Sequence, residues 1–97
     1  MLKKDIEAQA QKFGEVFVYY HKLRQKGSTY LEGTMDFSDK YISARFAKEQ
    51  PKPADDEHIL IFSRTNDSFR YIPVKKVFRV TSLNAELDRA TPFGRRR

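Results

Sequence analysis

Ninety-seven residues suffice for one domain of ordinary size, and the lack of cysteine excludes disulfides, thiolate metal sites and a cysteine nucleophile. Lysine and arginine number 19 against 13 aspartates and glutamates, a net charge of +6 that favours phosphate-bearing or otherwise acidic partners. No apolar run is long enough to cross a bilayer, and Met1-Leu2-Lys3-Lys4-Asp5 leads into a polar helix rather than a signal peptide, so the expected compartment is the cytoplasm.

Leu2, Ile6, Ala10 and Phe13 recur at helical spacing and predict a helix over 3–13, closed by Gly14 where a left-handed cap favours glycine. After Gly14 the period changes to two. Val16-Phe17-Val18-Tyr19-Tyr20 reads as a first strand, and Gln25-Lys26-Gly27-Ser28 as a turn. Leu31, Gly33, Met35 and Phe37 alternate with Tyr30, Glu32, Thr34 and Asp36, which predicts a half-buried second strand. After a tight turn at Ser38-Asp39-Lys40, the alternation of Ile42, Ala44 and Phe46 with Tyr41, Ser43 and Arg45 predicts a third.

Residues 50–57 form a polar loop broken by Pro51 and Pro53. His58-Ile59-Leu60-Ile61-Phe62 is nearly continuous in apolar residues and predicts a strand covered on both faces. Thr65-Asn66-Asp67-Ser68 turns the chain into Phe69-Arg70-Tyr71-Ile72, which Pro73 ends or bends. Val77-Phe78-Arg79-Val80 is the last strand, and residues 82–89 have room for one helical turn. A single domain over 1–90 follows, with a basic tail at 91–97. Its expected architecture is mainly β: the helix at 3–13, then five or six short, strongly bent antiparallel strands closing into a small barrel over 15–82.

The stretch from Leu31 to Phe46 resembles the first signature of the Sm and Sm-like family (the LSm and Hfq-like proteins). Gly33, Met35, Asp39, Tyr41, Ile42, Ser43, Ala44 and Phe46 stand at the family's spacing. Gly33 would let the strand bend sharply, and Asp39 would accept backbone hydrogen bonds that fix the loop. The second signature departs: where the family carries Arg-Gly, this chain reads Tyr71-Ile72-Pro73. The resemblance implies a ring-shaped scaffold or RNA chaperone. Tyr41 would stack on a base of single-stranded RNA, with Ser43 beside it in a place where the family has asparagine. Arg70, Lys75, Lys76 and the tail residues Arg95, Arg96 and Arg97 would contact phosphates. It also implies a cyclic homo-oligomer whose edge strands pair head to tail, with Ile59, Ile61, Phe62, Phe78 and Val80 along the interface.

The alternative is an SH3-like or Sm-like protein-interaction module, a regulator docking on an acidic surface of a larger complex; the missing Arg-Gly pair favours it. No enzyme is expected: no nucleophile–base arrangement, phosphate-cradling glycine loop or pair of buried acids emerges. His21, His58, Asp55, Asp56 and Glu57 lack a metal-ligand spacing, and Asp36 and Asp39 read as turn residues, so neither metal nor cofactor is expected.

Overall fold

The computed structural model describes the backbone of residues 1–90 and the side chains of residues 1–87, so the expected contacts of Arg95, Arg96 and Arg97 lie outside the described residues. In chain order come α1 (Lys3–Phe13), β1 (Glu15–His21), β2 (Ser28–Thr34), α2 (Lys40–Glu49), β3 (His58–Ser63) and β4 (Ser68–Pro73). A single 3-10 turn at Val74–Lys76 then leads into β5 (Val77–Ser82) and α3 (Leu83–Ala90). The strands form one antiparallel sheet in the order β4-β3-β2-β1-β5.

Alternation along the strands divides the side chains between two faces. On the inner face Val16, Val18, Leu31, Ile59, Ile61 and Val80 pack with Ile6 and Ala10 of α1. Gly14 ends that helix at φ 79°, with its amide donating to the Ala10 carbonyl at 2.9 Å. Burying a side chain of the Ile6 kind is worth roughly 1.5–3 kcal/mol. This row therefore supplies much of what holds α1 to the sheet.

The expected barrel is not formed. The sheet is open and not strongly curled, and β4 and β5 stand at opposite edges. The chain is a mixed α/β domain with three helices, which removes the Sm-like reading. The decisive element is α2, a helix where a third strand was expected. Asp39 caps it, its carboxylate facing the Ile42 amide at 3.4 Å, and Gln50 closes it in the left-handed region at φ 48°, directly before Pro51. Ala44, Ala47, Lys48 and Glu49 are good helix formers, and Ile42 and Phe46 are also four apart, so the strand-like alternation doubles as one helical face.

The strand pairing of the expected ring changes with it. Ile59 and Ile61 are buried on the inner face under α1, and Val80 joins the same core. Phe62 is 1% exposed beneath α2 and Phe78 lies on the opposite face from Val80's cluster, so these five residues form no common seam. Gly33 has another reason to be glycine than barrel closure. A Cβ there would sit 2.1 Å from the Phe62 carbonyl oxygen, because the backbone of β3 passes directly against β2 at that point. Their ladder is brief: Gly33 pairs with Ser63 and Thr34 with Phe62, and just beyond it the Arg64 amide donates to the Glu32 carbonyl.

Candidate interaction surface

The outer face of the sheet has two unlike halves. Over β3 and β4, α2 covers Phe62 and Phe69, while Tyr71 and Phe46 stay partly exposed. Ile42 is fully buried, and Phe46 and Phe37 meet Phe69 edge-on at 5.8 and 5.4 Å. Phe69 in turn meets Phe62 at 5.0 Å. Such ring pairs prefer edge-to-face geometry and add about 0.5–1.5 kcal/mol each beyond burial.

Arg45 ties the helix down from above. Its guanidinium lies 5.6 Å over the Phe62 ring, pairs with Glu49 and with the Asp67 carboxylate, and donates to the Asp67 carbonyl at 2.9 Å. The hydrogen bonds from Arg45 to Glu49 and Tyr41 make it still harder to deprotonate. The turn leading into α2 is ordered by Asp36, whose Oδ1 accepts from the Ser38 hydroxyl at 2.6 Å and the Ser38 amide at 3.0 Å. Both bonds favour the carboxylate and hold Asp36 below the usual range. At the end of β3, Arg64 pairs with Glu15 at 2.9 Å and reaches Asp39 at 3.7 Å, and the Glu15 contact raises its pKa.

Over β1, β2 and β5 the same face carries a row of aromatic rings. Phe17, Tyr19 and His21 alternate with the buried Val16 and Val18 and with Tyr20, which packs on the inner core, so the outer side of β1 is a run of rings. Phe17 and Tyr19 meet Tyr30 at 5.4 and 5.7 Å, Tyr19 meets Phe78 at 6.2 Å, and Phe78 meets His21 at 4.7 Å. Phe78 belongs to the row because β5 bulges there: Tyr19 pairs with Arg79, but Tyr20 pairs with Val77. The bulge re-aims the extra side chain.

Among the described residues, α3 and β5 cover the middle of this row. Glu86 of α3 accepts from the Tyr19 hydroxyl and the Thr81 hydroxyl, each at 2.8 Å, and Arg79 stacks over Tyr19 at 5.2 Å. Tyr30 stays 55% exposed and Phe78 45%. Beside them the β1–β2 turn presents Lys22, Arg24 and Lys26, all exposed. Among the described residues no carboxylate lies within ion-pair distance of these three.

The residues expected to bind RNA are dispersed. Tyr41 and Ser43 ride on α2 rather than on a strand. The Tyr41 hydroxyl donates to Asp67 at 2.7 Å while its ring edge meets Phe62 at 6.2 Å, so Tyr41 fastens α2 to the β3–β4 turn. Arg70 lies on β4, and Lys75 and Lys76 sit in the 3-10 turn beyond its end. The base-stacking loop and the ring that carried the RNA reading are absent from this open sheet, so that partner assignment is withdrawn. The aromatic row was missed, although a signal for it stands in the sequence. Phe17, Tyr19 and His21 fall on one parity and Val16 and Val18 on the other.

Other titratable groups make smaller arrangements. His58 Nδ1 lies 2.8 Å from Asp55, and that contact, with the Glu57 amide, lowers the Asp55 pKa. Among the described residues no three His, Cys, Asp or Glu side chains gather as a metal site would require. Among the described residues, too, no helix is long and apolar enough to cross a membrane. Set against protein-family models, curated proteins and solved structures, the chain matches none of them.

Proposed function

We propose that this chain is a non-catalytic protein-interaction module that docks, through the open half of its outer face, on an acidic surface of a larger partner. The observation that carries this reading is the aromatic row from Phe17 through Tyr30 and Tyr19 to Phe78, exposed at Tyr30 and Phe78, beside Lys22, Arg24 and Lys26, which among the described residues have no carboxylate within ion-pair distance. Exposed apolar patches rimmed by polar groups mark interaction sites on soluble domains. Aromatic side chains and arginine are the residues most enriched where partners bind. The rings are already held in place by one another and by Glu86, so binding orders few side chains and forfeits little entropy. The cations add steering and specificity for negative charge.

A titration followed by amide chemical shifts tests this. Peptides rich in glutamate and carrying one aromatic residue should move the amides of Tyr30, Phe78 and the 22–27 turn at low salt. The shifts should shrink at high salt as the charges are screened. Tyr30→Ala combined with Phe78→Ala should weaken binding by about 2 kcal/mol or more, the size expected of central aromatic anchors. No shift at low salt, or shifts centred on α2, would remove the reading.

A further inference from the structure

Between β2 and the β3–β4 turn the sheet has an internal gap. The Lys22 amide donates to the Gly27 carbonyl at 3.0 Å, which sets the phase of the β1–β2 ladder. In that phase Thr29, Leu31 and Gly33 bond to β1, and Ser28, Tyr30 and Glu32 turn their backbone groups the other way. Glu32 finds a partner there, its carbonyl accepting from the Arg64 amide at 3.0 Å. Beyond Arg64 the chain leaves in the β3–β4 turn. Among the described residues, nothing meets the amide and carbonyl of Tyr30 or of Ser28. A cleft of about 460 Å³ opens at this edge; among the residues that bound it are Thr29 and Arg70 and, on the outer parity with Tyr30, the acidic Glu32.

We infer that this cleft receives one extended segment of a partner protein, which pairs with residues 28–30 of β2 and presents acidic side chains to Arg70. The inference rests on the docking reading above and gives it a mode. Two features of the cleft define the segment. First, only a strand matches unpaired donors and acceptors spaced two residues apart along an edge. Second, a residue placed opposite Tyr30 shares its outer face, where the Phe17–Tyr30 ring pair favours an apolar or aromatic side chain.

The flanking residues of such a strand point to the inner face, beside Thr29 and Arg70. Arg70 stands opposite Ile61 in the β3–β4 register and so shares that inner side. Its Nε donates to the Ser68 hydroxyl at 3.0 Å. Unlike Arg45, Arg64 and Arg79, it has no carboxylate within ion-pair distance among the described residues. The preferred ligand therefore alternates acidic and apolar residues, acids inward and apolar groups outward.

A short synthetic peptide alternating glutamate with valine or phenylalanine probes this directly on the full chain. Hydrogen exchange at the Tyr30 amide should slow at least tenfold on saturation with this peptide, because a backbone bond now covers it. Arg70→Gln should weaken binding about tenfold, the loss of one charge-assisted hydrogen bond of about 1.4 kcal/mol. Tyr30→Pro deletes the outward amide without removing a β1 bond and should abolish binding, whereas Tyr30→Val keeps the amide and should retain part of it. If Tyr30→Pro does not fold, the exchange result on the unaltered chain decides. Binding that moves Phe78 and His21 but leaves Tyr30 exchange and the Arg70 variant unaffected would overturn the strand mode and leave the docking surface standing. Absence of any binding at low salt would overturn both.

Discussion

The two halves of the outer face are built from the same kind of residue to opposite ends. Under α2, Phe37, Phe46, Phe62 and Phe69 close on one another edge-to-face, and Arg45 is neutralised by Glu49 and Asp67. Over β1, β2 and β5 the rings lie side by side in a row with Tyr30 and Phe78 half exposed, and among the described residues the nearby cations of the 22–27 turn have no carboxylate within ion-pair distance. The difference shows that aromatic content alone does not distinguish core from surface. What distinguishes them is whether another element brings a buried anchor, as Ile42 does for α2, and whether the charges nearby are satisfied.

Substitution should separate the halves most sharply at their largest rings. Phe62→Ala is expected to cost about 3–5 kcal/mol of stability in urea denaturation, because it leaves a cavity between α2 and the sheet. Phe78→Ala should stay within about 0.5 kcal/mol of the parent, since its ring is already 45% exposed. Equal losses at the two positions would erase the distinction between covered and open halves.

The join between the halves is the next test. Gly33→Ala places a methyl 2.1 Å from the Phe62 carbonyl oxygen, a backbone atom that moves only if the two-residue β2–β3 pairing gives way. A loss of about 3 kcal/mol is expected, at the upper end for overpacking. Hydrogen exchange should then show the amides of β3 and β4 opening before those of β1. Simultaneous opening of all strands would mean that the halves are one cooperative unit.

Smaller effects belong to the entry of α2. Asp39→Ala should cost about 1 kcal/mol through the lost N-cap, measured as loss of helix and lowered denaturation midpoint. Asp36 adds a pH signature. Its carboxyl is depressed in the folded chain by the Ser38 hydroxyl and amide. It therefore contributes stability that is fully present above the unfolded carboxylate value of about 3.9 and is lost as pH falls through the lower folded value. Asp36→Asn should narrow the stability gap between neutral and acid solution, and the two proteins should converge below that window. A gap as wide as the parent's would show that Asp36 makes no such contribution.

Local signals in the sequence reach some of these features and not others. The helical spacing of Leu2, Ile6, Ala10 and Phe13 and the glycine that follows correspond to α1 and its φ 79° cap. The period of two across residues 16–20 and 77–80 corresponds to β1 and β5, and the nearly unbroken apolar run at 58–62 to a strand covered on both faces, by α1 and by α2. Segment 40–49 misleads because Ile42, Ala44 and Phe46 satisfy a strand period while Ile42 and Phe46 satisfy a helical one. The local clues that favour the helix are the capping Asp39, the alanines and Pro51 just past its end. The aromatic row was equally legible, as a parity within β1, once that strand is known to have a second face that α1 does not cover.

By itself, then, the sequence determined the extent of α1 and the alternation of β1 and β5, because capping residues, glycines and alternation act within a few bonds of the chain. It also determined the charge of the exposed β1–β2 turn and the aromatic parity of β1. Only the tertiary structure decided that α2 lies on Phe62 and Phe69, that Gly33 is required by a backbone crossing 29 residues away in the chain at Phe62, and that β4 and β5 end at opposite edges. Curvature and closure of a sheet depend on which elements press on each face and how long neighbouring strands stay in register. These are properties of contacts between distant residues, and the two-residue pairing of β2 with β3, with the open edge it leaves at Tyr30, is one that no local pattern specifies.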